Sequence, residues 1–156
     1  MATPAESEVR MTELVMPTHT NNLGTLFGGQ LVAWMDVCGS MAAMRHAGRQ
    51  VVTAAIDSLT FAHPIRLGQA VGLTARVTWV GRTSMEVKVV AEGVDLPRGE
   101  RWHTSTAYFT FVAVDEAGKP QPVPPLTLST EEDKQEWRRA ASRRKKRLRR
   151  REGVEL

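Results

Sequence analysis

Asp36 is the only Asp, Glu, Lys or Arg between Glu13 and Arg45, and it interrupts an apolar run, TNNLGTLFGGQLVAWMDVC at 20–38. A carboxylate placed there loses part of its hydration and needs hydrogen-bond partners. Two roles fit it. One is a buried tie to a loop or a neighbouring subunit; the other is a general base or nucleophile in a low-dielectric cleft. Gly29, Ala33, Asp36, Ser40 and Ala43 are spaced by 4, 3, 4 and 3 residues, so they form one stripe of a helix. Every member but Asp36 is small, which lets a backbone or a ligand come close. Gly28 and Gly29 offer free backbone N–H groups at the positive end of that helix, the ingredients of an oxyanion hole, although glycines also start elements for purely local reasons. Asn21 and Asn22 add side-chain amides, whose commoner job is to cap a turn. An acid, two backbone donors and an amide together suit attack of water on an acyl carbon.

These groups need a scaffold. Gln30 to Ala47 carries the helix, with Leu31, Trp34, Met35, Cys38, Met41 and Ala42 on one broad apolar face and Gly48 as its stop. Val9 to Met16 reads as a strand ended by Pro17. After the helix the period becomes 2. Val51 to Phe61 is strand-like, and AVGLTARVTWV alternates Val71, Leu73, Ala75, Val77 and Trp79 with polar or small residues. GRTS at 81–84 is a turn. SMEVKVVAEGV then places Met85, Val87, Val89 and Ala91 inward and Glu86, Lys88 and Glu92 outward, making a hairpin with the preceding strand. WHTSTAYFTFVAV at 102–114 is a long strand rich in β-branched and aromatic residues. One early helix followed by four strands predicts an α+β fold, an antiparallel sheet with a long helix on one face.

Residues 1–8 are polar and read as loose; 9–120 form the main domain; 121–128 are a Pro-rich linker; 129–156 are a basic helical tail. The tail carries the charge. Residues 131–156 hold 11 Lys and Arg against 6 Asp and Glu, and residues 1–130 hold 10 against 11. A nucleic-acid or anionic-membrane partner is therefore an argument about the RRKKRLRRR run alone. That run has no interleaved aromatic, and a solvated, partly disordered end is the simpler reading. A further option is that its arginines meet the phosphates of a ligand. Apolar anchors are few, so the tail should touch the body near Trp137 and fray beyond it.

Hydrophobic content of 42% and charged content of 24% argue against disorder. A single cysteine, Cys38, excludes an internal disulfide and fits core packing. The start lacks a signal-peptide pattern and no apolar run spans a bilayer, so the expected location is cytoplasmic. His19, His46, His63 and His103 have no metal-site spacing, and His46 suits a helix-end dipole partner. No metal or redox cofactor is expected. There is no G-x-S-x-G elbow, no phosphate loop and no dinucleotide fingerprint.

The run MPTHTNNLGTLFGGQLVAWMD resembles the signature of hotdog-fold acyl-CoA thioesterases, most nearly the bacterial hydrolases related to the brain-type acyl-CoA hydrolases. The pattern T-N-x-x-G-x-x-F-G-G then M-D falls on Thr20, Asn21, Gly24, Phe27, Gly28, Gly29, Met35 and Asp36. VVTAAIDSLTFAHPI at 51–65, VGRTS at 80–84 and FTFVAVD at 109–115 are similar to the same family. The resemblance covers about residues 9–120 and implies a sheet wrapped around a central helix. It implies hydrolysis of fatty acyl-CoA to free acid and coenzyme A, with Asp36 as base or nucleophile and Gly29 as oxyanion donor. It also implies a homodimer at minimum, commonly a hexamer built as a trimer of dimers, in which Asn21 of one subunit faces Asp36 of the other. Gly81, Arg82, Thr83 and Ser84 would bind coenzyme A. Two alternatives stand beside it: a non-catalytic acyl-CoA sensor with a nucleic-acid-binding tail, and a hotdog enoyl-CoA hydratase, which would want a histidine paired with an acid. Acyl preference would depend on the packing of Trp34, Met35, Phe61 and partner residues.

Overall fold

A computed structural model describes residues 2–152. Its elements are α1 (Pro4–Ser7), β1 (Val9–Leu14), α2 (Gly28–Ala47), β2 (Val51–Asp57), β3 (Ala70–Val80), β4 (Ser84–Asp95), β5 (Glu100–Ala113) and α3 (Glu131–Glu152). The strands form one antiparallel sheet in the order β1-β3-β4-β5-β2. α2 lies along its inner face and touches every strand.

The core follows from the two periods meeting. Leu31, Met35, Cys38 and Ala42 of α2 are buried against Leu73, Val77, Val87, Val89, Phe109 and Phe111. Full burial of a side chain of this size contributes about 1.5–3 kcal/mol, so this one seam supplies most of the drive to hold the helix on the sheet. The helix lies close because Gly39 has no side chain: a Cβ there would stand 3.1 Å from Val89 Cγ2 and 3.2 Å from the Phe111 ring. Gly48 ends the helix in the left-handed region at φ 69, and its N–H bonds to the Met44 carbonyl at 2.8 Å.

Four features differ from the sequence reading. Residues 1–8 are not loose throughout: α1 is closed by a capping box between Thr3 and Glu6, and the buried Ser7 hydroxyl accepts the Val77 N–H at 2.9 Å. β2 stops at Asp57, where Ser58 turns the chain at φ 60. His46 is buried and bonds through Nε2 to the Pro124 carbonyl at 2.9 Å, so it anchors the 121–128 linker.

The fourth concerns α3. It does not fray beyond Trp137 but lies across the outer face of the sheet. Trp137 packs on Trp79 at 5.8 Å between centroids, Ala140 is fully buried, and Arg143 bonds Glu86 through Nε at 2.9 Å while covering the Tyr108 ring at 3.6 Å. Arg147 pairs with Asp57 at 2.7 Å and Lys88 with Glu136 at 2.8 Å. Trp137, Ala140, Arg143 and Arg147 share one helix face. The contacts continue because the sheet presents acids where α3 presents arginines. Glu86, expected on the solvent side, is on the outer face but only 1% exposed.

Candidate active site

Asp36 sits on the open side of α2, half-buried, with Ala33 and Val37 exposed beside it. In one chain Gly29, Ala33, Asp36 and Ser40 of the stripe face away from the core, whereas Ala43 is buried in it. The Thr53 hydroxyl of β2 donates to Asp36 Oδ1 at 2.6 Å. Among the described residues Oδ2 has no hydrogen-bond partner, so one carboxylate oxygen is held and the other is free to take a proton or attack. Thr53 was not singled out from sequence. It lies in the quoted 51–65 stretch, and a threonine on the inward phase of a strand beside the charged helix face is the signal that marks it.

Thr53 reaches the helix because β2 carries a bulge. Thr53 opposes Phe111 and Ala55 opposes Thr110, leaving Ala54 as the extra residue. Thr53 thus keeps the core-side phase while Ala54 and Ala55 turn to the outer face.

The start of α2 has the donors the sequence suggested. Phe27 is the N-cap and offers no side-chain cap, and its carbonyl takes the N–H groups of Gln30 and Leu31. The N–H groups of Gly28 and Gly29 have no acceptor among the described residues. Gly29 is exposed, and a Cβ on it would meet the Phe27 ring at 2.8 Å.

Asn21 is not joined to Asp36 within the chain. Its Oδ1 accepts the Leu23 N–H at 2.9 Å and the Thr25 N–H at 3.2 Å, and its Nδ2 donates to Thr25 Oγ1 at 2.9 Å. That is a turn-holding role, tightened by Gly24 at φ 76. One amide N–H remains unpaired on an exposed side chain. Beside the helix start lies a largely apolar cleft of about 280 Å³ bordered by Leu26, Gly28, Leu31, Phe61 and Ile65. Of the residues expected to shape a chain pocket, Phe61 lines it. Met35 is instead in the core, and Trp34 packs edge-on against His19 at 4.8 Å.

The GRTS turn joins β3 to β4, closed by Gly81 N–H to the Ser84 carbonyl at 2.8 Å. Gly81 is needed, because a Cβ would lie 2.7 Å from the Trp79 ring. The Arg82 side chain is exposed, and Thr83 and Ser84 line an opening toward α3.

The remaining candidates are occupied elsewhere. His19 Nδ1 accepts the Met16 N–H at 3.0 Å and makes no bond to Asp36, and among the described residues no histidine is paired with an acid in the way a hydratase would use. Cys38 is fully buried, and burial pushes its thiol up to about 11, so it is a packing residue. Among the described residues no three metal-type ligands converge, and no helix is long and apolar enough to cross a membrane.

Comparison with known proteins adds several findings. The profile of the thioesterase superfamily matches residues 23–95. The chain is 47% identical over 128 residues to an uncharacterised acyl-CoA thioester hydrolase of Bacillus subtilis, covering 82% of this chain and 74% of that one. Among solved structures, an apo hexameric acyl-CoA thioesterase superposes with a TM-score of 0.89 at 44% identity, covering 95% of each chain. An acyl-CoA hydrolase of Staphylococcus aureus, solved with butyryl-CoA, CoA and CoA disulfide, superposes at 0.87 with 37% identity, covering 96% of this chain and 91% of that one. The Staphylococcus aureus enzyme has also been solved with single replacements by alanine of an aspartate, an asparagine and a threonine.

Proposed function

The chain belongs to the thioesterase superfamily, within the hotdog-fold acyl-CoA thioester hydrolases, and from that premise we propose that it cleaves acyl-CoA thioesters at a site built around Asp36. The observation that carries the reading is the Thr53–Asp36 pair with its free Oδ2, beside a helix start with two unengaged N–H groups. The intervals between the three residues replaced in the Staphylococcus aureus enzyme support it. Its aspartate follows the asparagine by 15 positions and its threonine follows the aspartate by 17, the intervals that separate Asn21, Asp36 and Thr53.

Asp36 Oδ2 takes a proton from water as the oxygen attacks the thioester carbonyl, or attacks that carbon itself. The oxyanion that forms is stabilised by the Gly29 N–H, aided by the helix dipole. Collapse expels the thiolate of coenzyme A, which takes up a proton; on the water route this leaves the free acid, and on the nucleophilic route it leaves a mixed anhydride with Asp36 that a water molecule then hydrolyses to the free acid and the regenerated carboxylate. Thr53 fixes the carboxylate so that the lone pair of Oδ2 points outward. The acyl chain enters the cleft at Leu31, Phe61 and Ile65, whose apolar lining suits a hydrocarbon. The GRTS turn holds part of coenzyme A, with Arg82 supplying charge.

Asn21 acts from a second subunit. Its own chain holds it in a turn with one N–H outward; the edge strand β2 exposes Val52 (50%) and Ile56 (39%), and α2 exposes Val37 (49%). An apolar, unpaired strand edge asks for a partner, and a second copy paired there completes the site. A hexamer of three such dimers agrees with the hexameric relative.

The test is release of thiol from a panel of acyl-CoA chain lengths. Asp36→Ala and Asn21→Ala, checked for folding by circular dichroism, should each lose at least about 10²-fold in kcat. A wild type inert on every chain length would end the hydrolase reading. Full activity in folded Asp36→Ala would end the site assignment alone.

A further inference from the structure

The strand β2 reaches both helices at once. Thr53 donates to Asp36 of α2 at 2.6 Å, and Asp57, four residues on, accepts from Arg147 Nη1 of α3 at 2.7 Å. α2 lies on the inner face of the sheet and α3 on the outer. In a regular strand, residues four apart point to the same side. The bulge at Ala54 breaks that rule. Thr53 opposes Phe111, which is in the core, whereas Asp57 opposes Tyr108, whose ring lies under Arg143 of α3. Only with the extra residue in place can one strand reach Asp36 with Thr53 and Arg147 with Asp57.

Within the chain, β2 is held to the sheet on one side only. It is an edge strand paired with β5, and Ala54 and Ala55 at the bulge carry side chains too small to lock a phase. Asp57 is its last residue, and Ser58 follows in the left-handed region at φ 60, a conformation that persists only where its neighbours are fixed. The Arg147 and Asp57 side chains are 18% and 20% exposed, so solvent and salt screen this pair less than a surface one. Among the described residues Arg147 is the last of α3 to make an ion pair with the sheet. The far end of α3 therefore grips the strand that carries Thr53.

We propose that Arg147 is a positioning residue for the hydrolysis: its pair with Asp57 stabilises the bulged register of β2, and that register holds Thr53 against Asp36. This rests on the hydrolase reading above and adds α3 to the elements that set the carboxylate. Arg147 acts through Thr53 and touches no reacting atom. The two bonds are linked, because each favours the register the other needs. Breaking the outer one lowers the fraction of molecules in which the inner one is formed. Substrate is bound by other residues, so the effect falls on kcat and leaves KM in place.

Asp57→Asn and Arg147→Gln cut the pair from either side. The first does so even if Lys146, which borders the same cleft as Asp57, would stand in for the arginine. Each should lower kcat on butyryl-CoA by about threefold to tenfold with KM within about twofold, and Arg147→Lys should recover most of the loss. Arg138→Gln removes an equal charge from an exposed pair within α3 and should change neither constant. In a Thr53→Ala background neither substitution should lower kcat further, because the residue they act through is gone. An additive loss there would make the pair a structural prop and overturn the proposal, as would an unchanged kcat in Asp57→Asn. A loss on butyryl-CoA that is absent on butyryl-pantetheine, the same thioester without the nucleotide, would mean that Arg147 meets the substrate directly and would overturn it too. A wild type inert on both thioesters would sink the hydrolase reading. Hydrogen exchange read by mass spectrometry then judges the register separately: in Asp57→Asn the 51–57 segment should exchange at least about threefold faster while α2 keeps its rate, and equal rates in the segment would refute the link.

Discussion

Asp36 and Thr53 are joined by a hydrogen bond, and in the proposed mechanism they act as one unit whose coupling can be measured. A hydrogen bond to a charged group contributes about 1.5–3 kcal/mol, so Thr53→Ala should lower kcat about tenfold to a hundredfold. Thr53→Ser keeps the hydroxyl and should restore most of it. A loss in Ala that Ser does not rescue would mean that Thr53 acts only by packing. Asp36 was visible in the sequence because a lone charge in an apolar helix has to be explained. Thr53 was not, because its role depends on which way β2 is phased, and the bulge at Ala54 that sets this phase leaves no mark in composition. Asn21 was set apart from Asn22 only through the resemblance: its geometry in one chain is that of an ordinary turn.

At the scale of elements, α2 and α3 cover opposite faces of the sheet by different means. α2 packs by shape. Gly39→Ala would drive a methyl into Val89 and Phe111 and should cost about 1–3 kcal/mol in urea melts; an unchanged midpoint would mean that the sheet yields there. α3 packs by charge. Burial pushes the Glu86 carboxyl above the ordinary carboxylate range, and the Arg143 guanidinium offsets this only in part. The folded chain therefore holds that proton more tightly than the unfolded chain, and the contribution of Glu86 to stability falls as pH rises through its native pKa. Glu86→Gln removes this dependence, so its stability relative to wild type should improve from pH 4 to pH 7; a constant difference would contradict the assignment. The helix α2, its glycine stop and the β3–β4 hairpin were legible because period and punctuation agree. The docking of α3 was not, because Glu86 and Asp57 look like solvent-facing residues until the helix is laid on them.

Under the proposed function each chain supplies half of a site, with Asp36 from one copy and Asn21 from the other. Asn21→Ala and Asp36→Ala, each inactive alone, should complement when coexpressed, because a mixed dimer keeps one site with both residues intact. Random mixing in a two-fold dimer gives about a quarter of wild-type activity. No recovery despite proven mixing would place both residues in one subunit's site. The α+β order, an antiparallel sheet with a long helix on one face, followed from the sequence pattern, whereas the wrapping of the sheet around that helix and the association of copies were read from the resemblance. What β2 exposes became evident only from the sheet order, which puts it at an edge.

The docking of α3 also decides how long the chain survives intact. RRKKRLRRR is a string of cleavage points for proteases that cut after basic residues, and in a loose tail it would be the first segment lost. Such enzymes need an extended segment, and Arg143 and Arg147 hold this one as a helix against Glu86 and Asp57. Its lifetime is then set by how often that helix opens locally.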